Sequence, residues 1–135
     1  MVIIMGFWVF MTICNFMIPV FMIVIGKIFM KNPPRTINEI YGYRTSRSRK
    51  NQDTWNFAHL YCGKLWWKSG WVMMPLAIIS MLPVIGKNDD IVGGVGAVVV
   101  TVECIIMFMT IFCVEKALDK KFDKDGNPIA VQSRK

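Results

Sequence analysis

The sequence predicts an all-α membrane protein: three transmembrane helices, with a cytoplasmic interfacial helix leading into the second. Three observations carry that fold class. Apolar residues fill 54% of the 135 positions, and they are gathered into long uncharged blocks rather than spaced at helix or strand periodicity. The net charge of +7 is concentrated in one stretch between two of those blocks. Ahead of the second block, tryptophan, histidine and cysteine recur at helical spacing. The first observation excludes a soluble enzyme and a free DNA-binding module, and the length allows one membrane domain, residues 1–135.

The first span covers about residues 2–26, where no charged side chain occurs. A helix needs about 20 mainly apolar residues to cross the hydrocarbon, and lipid forces its backbone groups to pair within the segment. A cleaved signal peptide is disfavoured, because the start has no basic residue, the apolar run is too long, and Gly26-Lys27 is a poor cleavage context. Lys31-Asn32-Pro33-Pro34 then stops the helix, since proline cannot continue it and restrains the residue before. In the loop that follows, residues 27–65, Gly42 between Tyr41 and Tyr43 marks a turn that a side chain would obstruct.

From Asn51 the pattern turns helical, with Ser48 or Asn51 as cap and Asp53 favouring the positive end of the helix dipole. Trp55, His59, Cys62 and Trp66 fall at i, i+4, i+7 and i+11, one stripe of a helix. The stripe suits a helix at the membrane surface that runs on into the second span, about 66–86. Trp66, Trp67 and Trp71 then belong to an interfacial aromatic belt, with Lys64 and Lys68 reaching outward, and the stripe reads as an anchor in preference to a ligand box. The third span, about 91–114, is apolar except for Glu103, and a tail of residues 115–135 ends the chain.

Between Lys27 and Lys68 there are nine basic residues against Glu39 and Asp53. The turn from Lys87 to Asp90 is net acidic and the tail mildly basic. Positively charged loops stay in the cytoplasm, so the loop and tail are expected there, with the N-terminus and the 87–90 turn outside.

Few residues suggest chemistry. Cys14, Cys62, Cys104 and Cys113 show no CxxC spacing, and neither a metal nor a cofactor is expected. Asp123-Lys124-Asp125-Gly126-Asn127 resembles a calcium loop, but aligning Gly126 places Lys121 and Gln132 where carboxylates are needed, so it reads as a turn. His59 has no evident substrate or orienting partner and reads as a hydrogen-bonding residue rather than a general base. Arg44, two residues past Gly42, either pairs with an internal carboxylate or clamps a phospholipid phosphate. Arg47, Arg49 and Lys50 read as a solvated patch drawn to anionic phospholipid. Glu103 and Asn15 lie at similar depth, and a hydrogen bond between them would lower the cost of burying both. Gly93 and Ala97 offer a small-residue face for packing within the bundle or in a homo-oligomer.

The run Asn38-Glu39-Ile40-Tyr41-Gly42-Tyr43-Arg44-Thr45-Ser46-Arg47-Ser48, then Lys50 to His59, then Gly63-Lys64-Leu65, resembles the SdpI family of small bacterial membrane proteins. The family pattern falls on Asn38, Gly42, Arg44, Thr45, Trp55, His59 and Gly63, while Ser46 stands where many members have proline. The resemblance implies a multi-pass protein of the bacterial inner membrane with no enzymatic activity. It also implies immunity to a membrane-active toxic peptide, with signalling through a transcriptional repressor held at the membrane. Two other readings stay open: a membrane adaptor that docks a cytoplasmic partner without conferring immunity, and a small oligomeric transporter centred on Glu103, Arg44 and His59. Direct nucleic-acid binding is not expected, because the basic loop lacks a docking motif and topology accounts for its charge.

Overall fold

The computed structural model describes residues 2–129; the last six residues of the tail, 130–135, lie outside the described residues. Three helices run up, down and up: α1, Val2–Lys31; α2, Gln52–Met81; and α3, Asp89–Lys121. A single 3₁₀ turn, Leu82–Val84, follows α2. All three helices are long and apolar enough to cross a membrane.

The helices overrun the apolar blocks at one end, α1 continuing to Lys31 and α3 to Lys121. The polar lead-in and the second span form a single rod, because Asn51 caps one uninterrupted helix of 30 residues. Asn51 Oδ1 accepts from the Thr54 N–H at 2.9 Å, and Thr54 Oγ1 accepts from the Asn51 N–H at 3.1 Å, a reciprocal box that satisfies two otherwise free amides. Such a helix is about 45 Å long against about 30 Å of hydrocarbon, so its first three turns stand clear of the apolar stretch that begins near Trp66.

α1 and α2 cross with their backbones in contact. A Cβ on Gly63 would lie 2.8 Å from the Gly26 carbonyl oxygen, and one on Gly26 would lie 2.7 Å from the Trp67 nitrogen. Small residues permit this approach, which gains packing contacts in a solvent that offers no hydrophobic drive. α3 closes the bundle through two apolar clusters. At the loop end Phe29, Ala58, Cys62, Val114, Leu118 and Phe122 pack together; at the far end Met81, Val84 and Val92 pack against Phe7, Trp8 and Met11. Trp8 also gives its indole N–H to the Met81 carbonyl at 2.8 Å, meeting an acceptor that the end of α2 leaves free.

One packing expectation is corrected and one turn is as expected. Ala97 is exposed; Gly96 is the buried residue of α3 that α1 approaches, with Met11 and Asn15 beside it. The 123–127 segment is a turn, as its spacing implies: Asp123 Oδ1 accepts from the Asp125 and Asn127 N–H groups at 2.9 Å.

Candidate functional site

The loop between α1 and α2 folds back over the first turns of α2 and is held there by side chains of the helix stripe. The Trp55 indole N–H donates to the Pro34 carbonyl at 2.7 Å, fixing the start of the loop. His59 fixes its middle: Nε2 accepts the Tyr43 N–H at 2.9 Å, while Nδ1–H donates to the Trp55 carbonyl at 2.7 Å. These two bonds select the neutral Nδ1–H tautomer, since a second ring proton would face the Tyr43 N–H. Burial in this part of α2, ahead of the apolar stretch, also lowers the histidine pKa from its ordinary value. The imidazole lies between aromatic rings, 4.3 Å from Trp55 and 4.9 Å from Phe29, centroid to centroid.

The loop sequence suits this closure. Asn38 Oδ1 accepts from the Ile40 and Tyr41 amides at 3.0 and 2.7 Å, a side-chain turn that bends the chain toward α2. Gly42 has φ of +117°, and a Cβ there would lie 2.5 Å from His59 Nε2, so glycine serves both conformation and clearance. Thr45 and Ser48 exchange backbone-to-hydroxyl bonds of 2.9 and 3.2 Å, and the Ser48 hydroxyl donates to the Tyr43 carbonyl at 2.9 Å. Thr54 Oγ1 then donates to the Ser48 carbonyl at 3.0 Å and joins this turn to the helix cap.

α3 holds the loop from the other side. The Tyr43 hydroxyl donates to Glu115 Oε1 at 2.7 Å. Burial, and then the Glu115 carboxylate, push the phenol pKa well above its ordinary value, so Tyr43 remains a donor. Arg47 reaches the same carboxylate at 3.6 Å and Asp119 at 2.8 Å. Lys50 donates to the Lys124 carbonyl, and the Asn51 amide donates to the Gly126 carbonyl at 2.6 Å, tying loop to tail.

Several sequence expectations change here. The Trp55–His59–Cys62 stripe faces the folded loop and the neighbouring helices and is fully buried, so it is core rather than a lipid anchor. Trp66 joins that interior, its indole N–H bonded to Thr110 Oγ1 at 2.9 Å; Trp71 remains outward. The ion pairs between the loop and α3 are made at the surface by Arg47, not Arg44. Among the described residues Arg44 is exposed with no acidic partner, at the mouth of a cleft of about 340 Å³ floored by Phe21, Ile25, Trp66 and Ile111. Asn15 and Glu103 are both buried, yet neither makes a hydrogen bond. Asn15 sits beside Gly96, and Glu103 is seven residues further along α3, about 10 Å at 1.5 Å per residue.

Thus Asn38, Gly42, Thr45, Trp55 and His59 converge on one closed loop. Gly63 permits the helix crossing beneath it, and Arg44 projects from its rim. Sequence reasoning missed Tyr43, Ser48 and Glu115. The available signals were the tyrosine beside Gly42 and a lone carboxylate where the third span ends.

The model of the SdpI/YfhL protein family matches residues 35–114, which contain most of the loop, α2 and most of α3. The Bacillus subtilis (strain 168) protein YfhL is 36% identical over 88 residues, covering 65% of this chain and 73% of YfhL. No solved structure matches the chain.

Proposed function

The chain belongs to the SdpI/YfhL family, and from that membership we propose that it protects a bacterium against a membrane-active toxic peptide, acting by binding rather than catalysis. In this reading it lies in the cell membrane with loop and tail in the cytoplasm, as the concentration of basic residues in the loop favours.

The observation that carries the proposal is the rim of the closed loop. Among the described residues Arg44 has no acidic partner, and it borders an aromatic and aliphatic cleft formed by all three helices, so one opening presents a cation beside an apolar floor. That pairing suits the boundary between headgroups and acyl chains. There an amphipathic peptide segment lodges, and an anionic phospholipid would place its phosphate. Asn38, Gly42, Thr45, Trp55 and His59 hold the loop that carries this rim. Signalling to a transcriptional repressor is the second reading. It draws support from Ile40, 91% exposed at the loop surface beside exposed Tyr41, an apolar pair available to a partner.

The test is survival of a sensitive bacterium challenged with a panel of membrane-active peptides. Wild type and Arg44→Ala are compared at equal membrane abundance. Protection by wild type that is lost in Arg44→Ala is the expected result. Absence of protection by inserted wild-type protein against every peptide would reject immunity and favour the adaptor reading.

A further inference from the structure

Among the described residues, four buried side-chain polar atoms lack a partner: Asn15 Nδ2 and Oδ1, and Glu103 Oε1 and Oε2. Glu103 is only 3% exposed. Nearly all buried polar atoms in folded proteins are hydrogen-bonded, and an intramembrane carboxyl usually faces a partner or a cavity. Protonation alone does not resolve Glu103, because it removes the charge but leaves an O–H donor and an acceptor with nothing to meet.

Glu103 borders a space, although its two carboxyl oxygens are themselves covered in this conformation. It lines a cleft of about 290 Å³ between α2 and α3, walled by Met73, Leu76, Ala77, Val98 and Val102. The two apolar clusters lie toward the helix ends and leave this middle stretch open. Leu76, Val98 and Val102 are exposed on flanks that face acyl chains in a membrane, so entry is sideways from the lipid. Glu103 is the only charged residue in the lining. Ser80, also in the lining, already gives its hydroxyl to the Leu76 carbonyl at 2.7 Å.

We infer that this cleft binds a small lipophilic cation, a protonated amine on an apolar body. Its ammonium pairs with the Glu103 carboxylate once that side chain turns toward the opening, and its body lies along the apolar walls. The donor set decides the class. A divalent cation needs several oxygen ligands, whereas the cleft offers one carboxylate, and no metal-binding cluster occurs among the described residues. A neutral apolar molecule would leave the carboxyl unpaired, and an anion would be repelled. An ammonium supplies both N–H donors and the opposite charge. The site is distinct from the loop, since Glu115 is twelve residues further along α3, about 18 Å away at 1.5 Å per residue.

The test uses wild-type protein in phosphatidylcholine nanodiscs and dicyclohexylcarbodiimide, which modifies carboxyl groups from within the bilayer. Modification of Glu103 is followed by peptide mass spectrometry, with octylammonium or octanol added at equal membrane concentration. Glu103 should be modified; octylammonium at ten times its dissociation constant should slow that roughly tenfold, and octanol less than about twofold. Equal slowing by both compounds would overturn recognition of the cation. No modification of Glu103, or none slowed by octylammonium, would overturn the cleft as its site.

Discussion

Replacing His59 with phenylalanine isolates the bond that holds the loop closed. The aromatic ring is retained beside Trp55 and Phe29, so no cavity opens, and because phenylalanine is somewhat larger than histidine any crowding adds to the cost of the lost bond. What disappears is the acceptor for the Tyr43 N–H, now 2.9 Å from Nε2 in a buried setting. Leaving one buried amide unpaired costs about 1–3 kcal/mol. At 1.4 kcal/mol per factor of ten, the open loop becomes about 5- to 150-fold more populated. The Trp55 carbonyl adds little to the cost, because it retains a place in the helix ladder. Hydrogen–deuterium exchange in nanodiscs reads the effect directly. Exchange over Gly42–Thr45 should accelerate by that factor, while α1 and α3 keep their protection. Unchanged exchange in the loop would refute the claim that His59 closes it, and uniform acceleration across all helices would show that His59 supports the whole bundle instead.

Three further predictions test neighbouring parts. Acidification should mimic His59→Phe. The lowered pKa of the closed state makes the proton favour the open loop, so closure is full above about pH 6.5 and declines as pH falls below it, read as loop exchange corrected for its intrinsic pH dependence. Tyr43→Phe should leave Glu115 with only Arg47 beside it and cost about 1–2 kcal/mol in thermal unfolding, whereas Arg47→Ala, an exposed pair, should cost less than about 1 kcal/mol. Gly63→Ala should cost about 1–3 kcal/mol, because the new methyl meets the Gly26 carbonyl backbone, whereas Gly96→Ala meets mainly the mobile end of Met11 and should cost less, both measured by thermal unfolding in detergent.

The three spans were legible because charge-free blocks of this length have little alternative but to cross lipid. The helix start at Asn51 was legible too, since capping chemistry is local. What the stripe of Trp55, His59 and Cys62 faces was not legible. Its spacing defines a face, but whether lipid or protein covers that face depends on where residues 32–51 fold. Tyr43 with Glu115 and Arg47 with Asp119 lie some seventy residues apart in sequence and meet only after the bundle forms. Asn15 and Glu103 were assigned a similar depth by counting residues within each span, but Asn15 meets α3 at Gly96, seven residues before Glu103. An internal ion pair was one of two roles expected of Arg44, but among the described residues the ion pairs belong to Arg47, three residues on and turned toward α3.

The central claim is that the closed loop, with Arg44 at its rim, is the working part of the protein. The most direct measurement is protection of a sensitive bacterium by wild type, His59→Phe and Arg44→Ala at equal membrane abundance. Loop exchange should be measured on the same three proteins. Wild type should protect, His59→Phe should protect less in proportion to loop opening, and Arg44→Ala should lose protection with the loop still closed. Full protection by both variants would contradict that claim.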